Sequence, residues 1–281
     1  MRNLTIASIL LTTLALCASP AARAEDDRCE HSQPRNLSLD LSGVKAVVFE
    51  LAQHDLKLEA SPGAKADIQG TACASQEKNL AQLQLTQQRV GEKLIVRAHR
   101  EGQSIGFFSG DNYAYLKLRA TLPDNISVQL KVGSGDAEVS GVPVFSADVG
   151  SGDVVARRVR GLAAASVGSG DIDFDDVGSL HVISIGSGDI VAKRLRGDAK
   201  VGSIGSGDFE LDGARGRVEI GSVGSGDAQV RNIDGDVEVG SIGSGSVSVR
   251  DIRGKLTLRS KGSGSIHHSG VAGQIDLPEN R

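Results

Sequence analysis

Six aspartates recur at one position in this chain: Asp136, Asp153, Asp171, Asp189, Asp208 and Asp227 each follow directly on Gly-Ser-Gly. A carboxylate repeated in this way has two chemistries open to it. It accepts hydrogen bonds from turn N–H groups, or, where several oxygens converge, it holds a hard cation such as calcium. Like charges about 5 Å apart repel by roughly 1 kcal/mol in water and about 3 kcal/mol at an effective dielectric of 20, so something must offset the column. The calcium β-roll needs glycine-aspartate turns about every nine residues. Here the triplets stand 17 to 19 residues apart, and the opposite bends (Arg160-Gly161, Arg196-Gly197, Asp234-Gly235) lack the motif. Hydrogen bonding to turn N–H groups is the favoured reading, and calcium is the alternative.

Other reactive side chains are few. The stretch GQSIGFFSGDNYAY (102–115) holds Phe107, Phe108, Tyr113 and Tyr115, four of the eight aromatics. It reads as a contact patch for an envelope protein or glycan, since aromatic clusters are enriched at binding surfaces, or else as a loop folded back on the core. The adjacent His267-His268 sits in the last repeat, where a frayed end or a trace metal contact is expected. No G-x-G-x-x-G or H-E-x-x-H motif occurs. A glycosidase carboxylate pair is compatible with the many acids, and the junction ahead of the repeats is where its cleft would lie.

The elements that position the aspartates are legible. Gly-Ser-Gly begins at residues 133, 150, 168, 186, 205, 224, 243 and 262. A regular period near 20 residues signals a solenoid. In GSGDAQVRNIDGDVEVGSI (224–242), Ala228, Val230, Ile233, Val237, Val239 and Ile242 are the apolar positions, and the pairs 228/230 and 237/239 have strand spacing. Gly235 and the triplet mark the bends, a role that glycine's tolerance of positive φ suits. In register, Ser140, Arg157, Asp175, Lys193, Asp212, Arg231, Arg250 and Ser269 become neighbours, with alternating sign from 157 to 231. Arg158, Asp176 and Arg194 form a second such row. These interleaved acids argue against a basic stripe for anionic polymers.

Residues 1–24 read as a secretory signal peptide: a positive start, an apolar run to Cys17 and Ala22-Arg23-Ala24 at a cleavage point. Leu16 stands before Cys17 where lipoprotein processing wants a small residue. Without that segment, 29 basic face 35 acidic side chains, an acidity that does not suggest nucleic acid, and no later stretch would span a bilayer as a helix. Periplasmic or extracellular localisation follows. In that compartment Cys29 and Cys73 read as a disulfide, with two free buried thiols as the alternative. Residues 25–132 read as a β-rich cap region, either a small domain or irregular first coils. SQEKNLAQLQLTQQ (75–88) is a short helix or a strand. Residues 133–270 are the solenoid and 271–281 a polar tail.

The runs VQLKVGSGDAEVSGV and VEIGSVGSGDAQVRNIDGDVEVGSIGSG, after a β-rich lead-in, resemble a bacterial family of secreted β-strand-repeat proteins, the auto-transporter adhesin, head GIN domain-like family. The resemblance covers roughly 120–270 well. It implies an all-β, right-handed β-helical solenoid in an exported protein, and it carries no catalytic signature. The chain's polar end, Asp276 to Arg281, differs from an autotransporter's membrane strands. The expectation is a non-enzymatic structural or binding module without a cofactor. A cation-binding solenoid and a carbohydrate-active enzyme are the alternatives.

Overall fold

The computed structural model describes residues 29–102 and 112–278. Residues 1–24, which the sequence reads as a signal peptide, and the aromatics Phe107 and Phe108 lie outside the described residues.

The chain winds into coils of two strands each. A back strand leads through the Gly-Ser-Gly corner into a front strand, and an opposite bend returns it to the back. One turn runs Val218–Val223, corner, Asp227–Ile233, bend, Val237–Ile242. Neighbouring coils pair in parallel, and the later ones stay in register throughout: Ala228 stands over Phe209 and under Val247, and Val237 over Val218 and under Leu256. The two sheets face each other across a single core. Ala228, Val230, Ile233, Val237, Val239 and Ile242 are all buried in it, the six positions that alternation singles out.

The Gly-Ser-Gly corners differ from the sequence expectation in their cause. None of the triplet glycines has positive φ. They are needed because stacked corners nearly touch. A Cβ on Gly170, Gly188 or Gly207 would stand 1.9, 1.8 or 1.9 Å from the carbonyl oxygen of the equivalent glycine one coil back. The hydrogen bonds continue through the corner, with Ser151 N–H donating to Gly133 O (2.7 Å) and Ser169 N–H to Gly150 O (2.7 Å). The third glycine is buried in each triplet, and the serine points to solvent.

Positive φ sits elsewhere, in the column Gly141, Arg158, Asp176, Arg194, Gly213, Asn232, Asp251 and Gly270. This is a bulge repeated in every front strand. It places two outward residues in succession before the chain turns back into the core, as at Arg231 and Asn232 before Ile233. The expected charge row is in register, Arg157 over Asp175, Lys193 over Asp212, Asp212 over Arg231. Its ion pairs are partly redirected. Arg231 reaches Asp212 (3.1 Å), whereas Arg157 turns back to Glu138 (2.5 Å) and Asp175 is met by Arg194 from the bulge column.

Parallel stacking starts before the first triplet. The strands Ala46–Ala52 and Asp55–Ser61 form a coil that underlies Ser127–Val132 and Ala137–Ser140. On its other side lie Lys93–Arg100 and Ala114–Pro123, also parallel. The later pair is thus the outer one, and the chain crosses over the 46–61 coil to reach residue 127. Antiparallel strands seal the outer pair: Asp67–Ala74 on Ala114–Pro123, and Leu83–Val90 on Lys93–Arg100. Residues 75–88 resolve into both readings, a 3-10 turn at Glu77–Gln82 and then a strand. His31–Pro34 adds to Asp67–Ala74, and the Cys29–Cys73 disulfide joins them.

The corner makes a sharp prediction. Gly188→Ala forces backbone apart from backbone and costs about 3 kcal/mol. Gly63→Ala, at φ +68 with nothing within 4 Å of its Cβ, costs about 1 kcal/mol of backbone strain. Denaturant titration of both variants measures the difference; equal losses would refute steric stacking as the reason for the glycine.

Candidate functional site at the head of the solenoid

At the junction of cap and coils the front sheet forms an open trough of about 900 Å³. Alternation along Ala114–Pro123 turns Tyr115, Lys117 and Arg119 outward. The next strand contributes Asp55 and Lys57, and the one beyond it Glu138, with Asp136 and Asp153 at the corner side. Register sets these rows: Lys117 stands beside Asp55, and Arg119 beside Lys57 and then Glu138. Lys57 Nζ lies 3.0 Å from Glu138 and Arg157 lies 2.5 Å from it. The Lys57 hydrogen bond, ahead of the Arg157 contact, holds the Glu138 carboxyl below the usual glutamate range. A general acid needs the opposite shift. Arg119 is exposed and has no partner among the described residues.

Two of the four aromatics singled out in the sequence meet here. The rings of Tyr113 and Tyr115 lie 5.8 Å apart, and Lys117 Nζ lies 5.7 Å from the centre of the Tyr115 ring. Tyr113 is clamped: its hydroxyl accepts from Glu30 N–H (3.0 Å), its N–H donates to Ser75 Oγ (3.2 Å) and its carbonyl accepts from Ser75 N–H (3.1 Å). It fastens the cap, while Tyr115 forms part of the trough. Lys117, Arg119, Asp55 and Lys57 escape sequence reading, because Gln53-His54-Asp55 carries the aspartate without its glycines. The signal was present in the alternation of DLKLEA after that aspartate.

The aspartate column is a ladder between coils. Asp136 N–H donates to Asp55 Oδ1 (3.1 Å), Asp153 N–H to Asp136 Oδ1 (3.1 Å), Asp171 N–H to Asp153 Oδ1 (3.2 Å) and Asp189 N–H to Asp171 Oδ1 (3.0 Å). Asp208 and Asp227 continue it at 2.9 Å each, and Ser246 ends it by donating both N–H and hydroxyl to Asp227 Oδ1. The acceptors thus serve turn N–H groups, and the turn is that of the next coil. One oxygen of each carboxylate is committed to this role. Among the described residues no three or more His, Cys, Asp or Glu side chains converge as a metal centre.

His54 occupies the ladder's first corner, where later coils have the buried third glycine; Gly135 lies directly over its backbone. Its ring is fully buried, Nδ1 accepts from Leu116 N–H at 3.2 Å, and Nε2 has no partner among the described residues. Burial first, and the charge of His99 second, push its pKa down to about 4.

Two predictions come from this geometry. Asp171→Asn keeps the Oδ1 acceptor and melts near wild type, whereas Asp171→Ala strands the Asp189 N–H and loses about 1 kcal/mol; equal melts, or a calcium-dependent wild-type melt, would count against the ladder. For His54, the unfolded chain binds the proton from about pH 6.5 and the folded chain only near pH 4. Stability is therefore full above about pH 6.5 and falls on acidification toward pH 4, by up to about 3 kcal/mol. Stability-versus-pH curves of wild type and His54→Gln test this, and the variant's curve is flatter over that window.

No curated protein matches this chain. Two of the solved structures similar to it show the shared fold. One, from Parabacteroides distasonis and described as a "putative adhesin", is 15% identical with a TM-score of 0.53, covering 85% of this chain and 97% of its own. The other, from the same species and described as a "putative lipid binding protein", is 19% identical with a TM-score of 0.52, covering 88% and 97%. At such identities the likeness is one of fold alone. The family described as "Putative auto-transporter adhesin, head GIN domain" matches residues 153–272, which lie wholly within the stacked coils.

Proposed function

We propose that this protein is an exported, non-enzymatic binding module of the cell envelope, periplasmic or at the surface, and that the trough at the solenoid's head receives its partner, an envelope protein or glycan. The trough carries the reading: a concave surface of about 900 Å³ with Tyr115, Lys117 and Arg119 beside Asp55, Lys57 and Glu138. An aromatic face beside fixed donors and acceptors suits polar ligands such as sugars or extended peptides. The disulfide supports an oxidising compartment, and the signal-peptide pattern of residues 1–24 supports export. Adhesion is the role named for the family. Among the described residues no helix is long and apolar enough to cross a membrane.

Against catalysis at the junction, the trough's carboxylates are engaged. Asp55 and Asp136 each accept a turn N–H, and Glu138 is ion-paired. The test is photo-crosslinking in the native cell. A reactive side chain at position 119 should yield a discrete adduct, and one at position 257, on the back sheet, should not. An exported, folded protein that gives no adduct from 119, or the same adducts from both positions, would overturn the proposal.

A further inference from the structure

The two ends of the solenoid are built differently. The head is sealed by antiparallel strands on both sheets. At the other end, Ser265–Val271 has one neighbour among the described residues, Ser246–Ile252. Its free edge is chemically defined. In earlier coils Val154, Ile172 and Ile190 donate their N–H forward to the next coil, and Gly141 does the same. By register the forward donors of the last coil are Ile266, His268 and Gly270. A sheet edge of this kind is a template for an added strand.

Charge singles out this edge. Residues 262–275 contain no Lys, Arg, Asp, Glu or Pro, the residues that normally blunt an edge. The coil just behind, 243–261, carries five basic side chains and one acid. Two of the five are spent on the preceding coil: Arg253 pairs with Asp234 at 3.0 Å and Arg259 contacts Glu238. Arg250, Lys255 and Lys261 are exposed and have no ion-pair partner among the described residues. Arg250 even lies beside Arg231 in register. An uncharged strand edge is thus surrounded by a basic collar.

The core shows what kind of partner fits. The inward column Val139, Phe174, Leu211, Val230, Val249 ends in an exposed His268, and the column Val149, Ile204, Ile242 ends in an exposed Lys261. Other columns end in Ile266 and Val271, which with Leu277 only partly cover the core, so the charge of the collar is what selects the partner. A second copy would bring its own basic collar against this one, which like-charge repulsion opposes.

We propose that the free edge of Ser265–Val271 is a docking site for an extended, acidic polypeptide strand. The strand pairs its backbone with Ile266, His268 and Gly270 and sets its carboxylates against Arg250, Lys255 and Lys261. This site lies at the opposite end from the head trough and does not depend on it.

The test uses the full exported chain and a fluorescent, end-blocked heptapeptide of alternating glutamate and valine, followed by polarisation. The glutamate peptide should bind, its glutamine and lysine counterparts should bind at least about tenfold more weakly, and salt should weaken binding. His268→Pro removes a forward donor without breaking a bond to the coil behind, and it should abolish binding. Arg250→Gln with Lys255→Gln and Lys261→Gln leaves the backbone untouched and should weaken binding about tenfold or more. Equal binding of all three peptides, or full binding by the triple variant, would overturn the proposal. So would polyglutamate or polygalacturonate binding that survives His268→Pro in a folded protein, which would show an anion patch without strand pairing. A wild-type chain that dimerises through this end and excludes the peptide would also overturn it.

Discussion

Everything in this molecule depends on backbone contact between stacked corners. Parallel strands about 4.8 Å apart are ordinary, but a corner that stays in register with its neighbours must bring carbonyl oxygens against α-carbons. At Gly188 the space available to a side chain is a 1.8 Å gap to the Gly170 oxygen. Glycine is retained there because of what lies one coil back, so each triplet is justified by its predecessor. The coils consequently match in corner geometry, and small irregularities are pushed to the opposite bend and the bulge column. There Arg158, Asp176 and Arg194 accept positive φ, a strain of about 1 kcal/mol each, and the strain is tolerated because parallel neighbours fix the strand on both sides.

The same constraint explains what the sequence could disclose. Period, inward positions and register all follow from the triplets, so the core residues of 224–242 and the charge row were readable before any coordinates. The head was harder for a physical reason. The corner at Gln53-His54-Asp55 is the first in its column. The strands Lys93–Arg100 and Ala114–Pro123 behind it are joined by a connection spanning residues 101–113, not by a four-residue turn. The steric demand for glycine is therefore lifted, and a histidine takes the buried place. With the glycines goes the motif, and with it the visibility of Asp55, Lys57, Lys117 and Arg119. The crossover, in which residues 93–123 stack outside residues 46–61, leaves no mark on local patterns, since each strand alternates as it would in any order.

The aspartate column shows how a repeated residue can look like a site and act as scaffold. A line of like charges is costly, yet each Oδ1 meets the N–H of the next coil's aspartate, and the row is flanked by Lys117 at its head and Ser246 at its foot. Substituting serine at 246 does not interrupt a binding array. It finishes a ladder, since the Ser246 hydroxyl and N–H both donate to Asp227 and Ser265 N–H turns instead to Gly245 O. The charge pattern elsewhere follows similar logic, with acids and bases placed one coil apart so that stacking brings them together.

Regularity and recognition are therefore separated along the rod. A coil whose neighbours match it on both sides has its backbone bonds satisfied, its corner filled and most of its charges paired, which leaves little with which to bind. Only the two ends escape this condition. At the head, the absence of a stacked corner frees room for a buried imidazole and an open trough edged by Arg119, which has no partner among the described residues. At the tail, the last coil keeps its forward N–H groups, and the coil behind it keeps three cations without an acid partner among the described residues. The repeat sets the separation between these ends, and the departures from the repeat give them their chemistry.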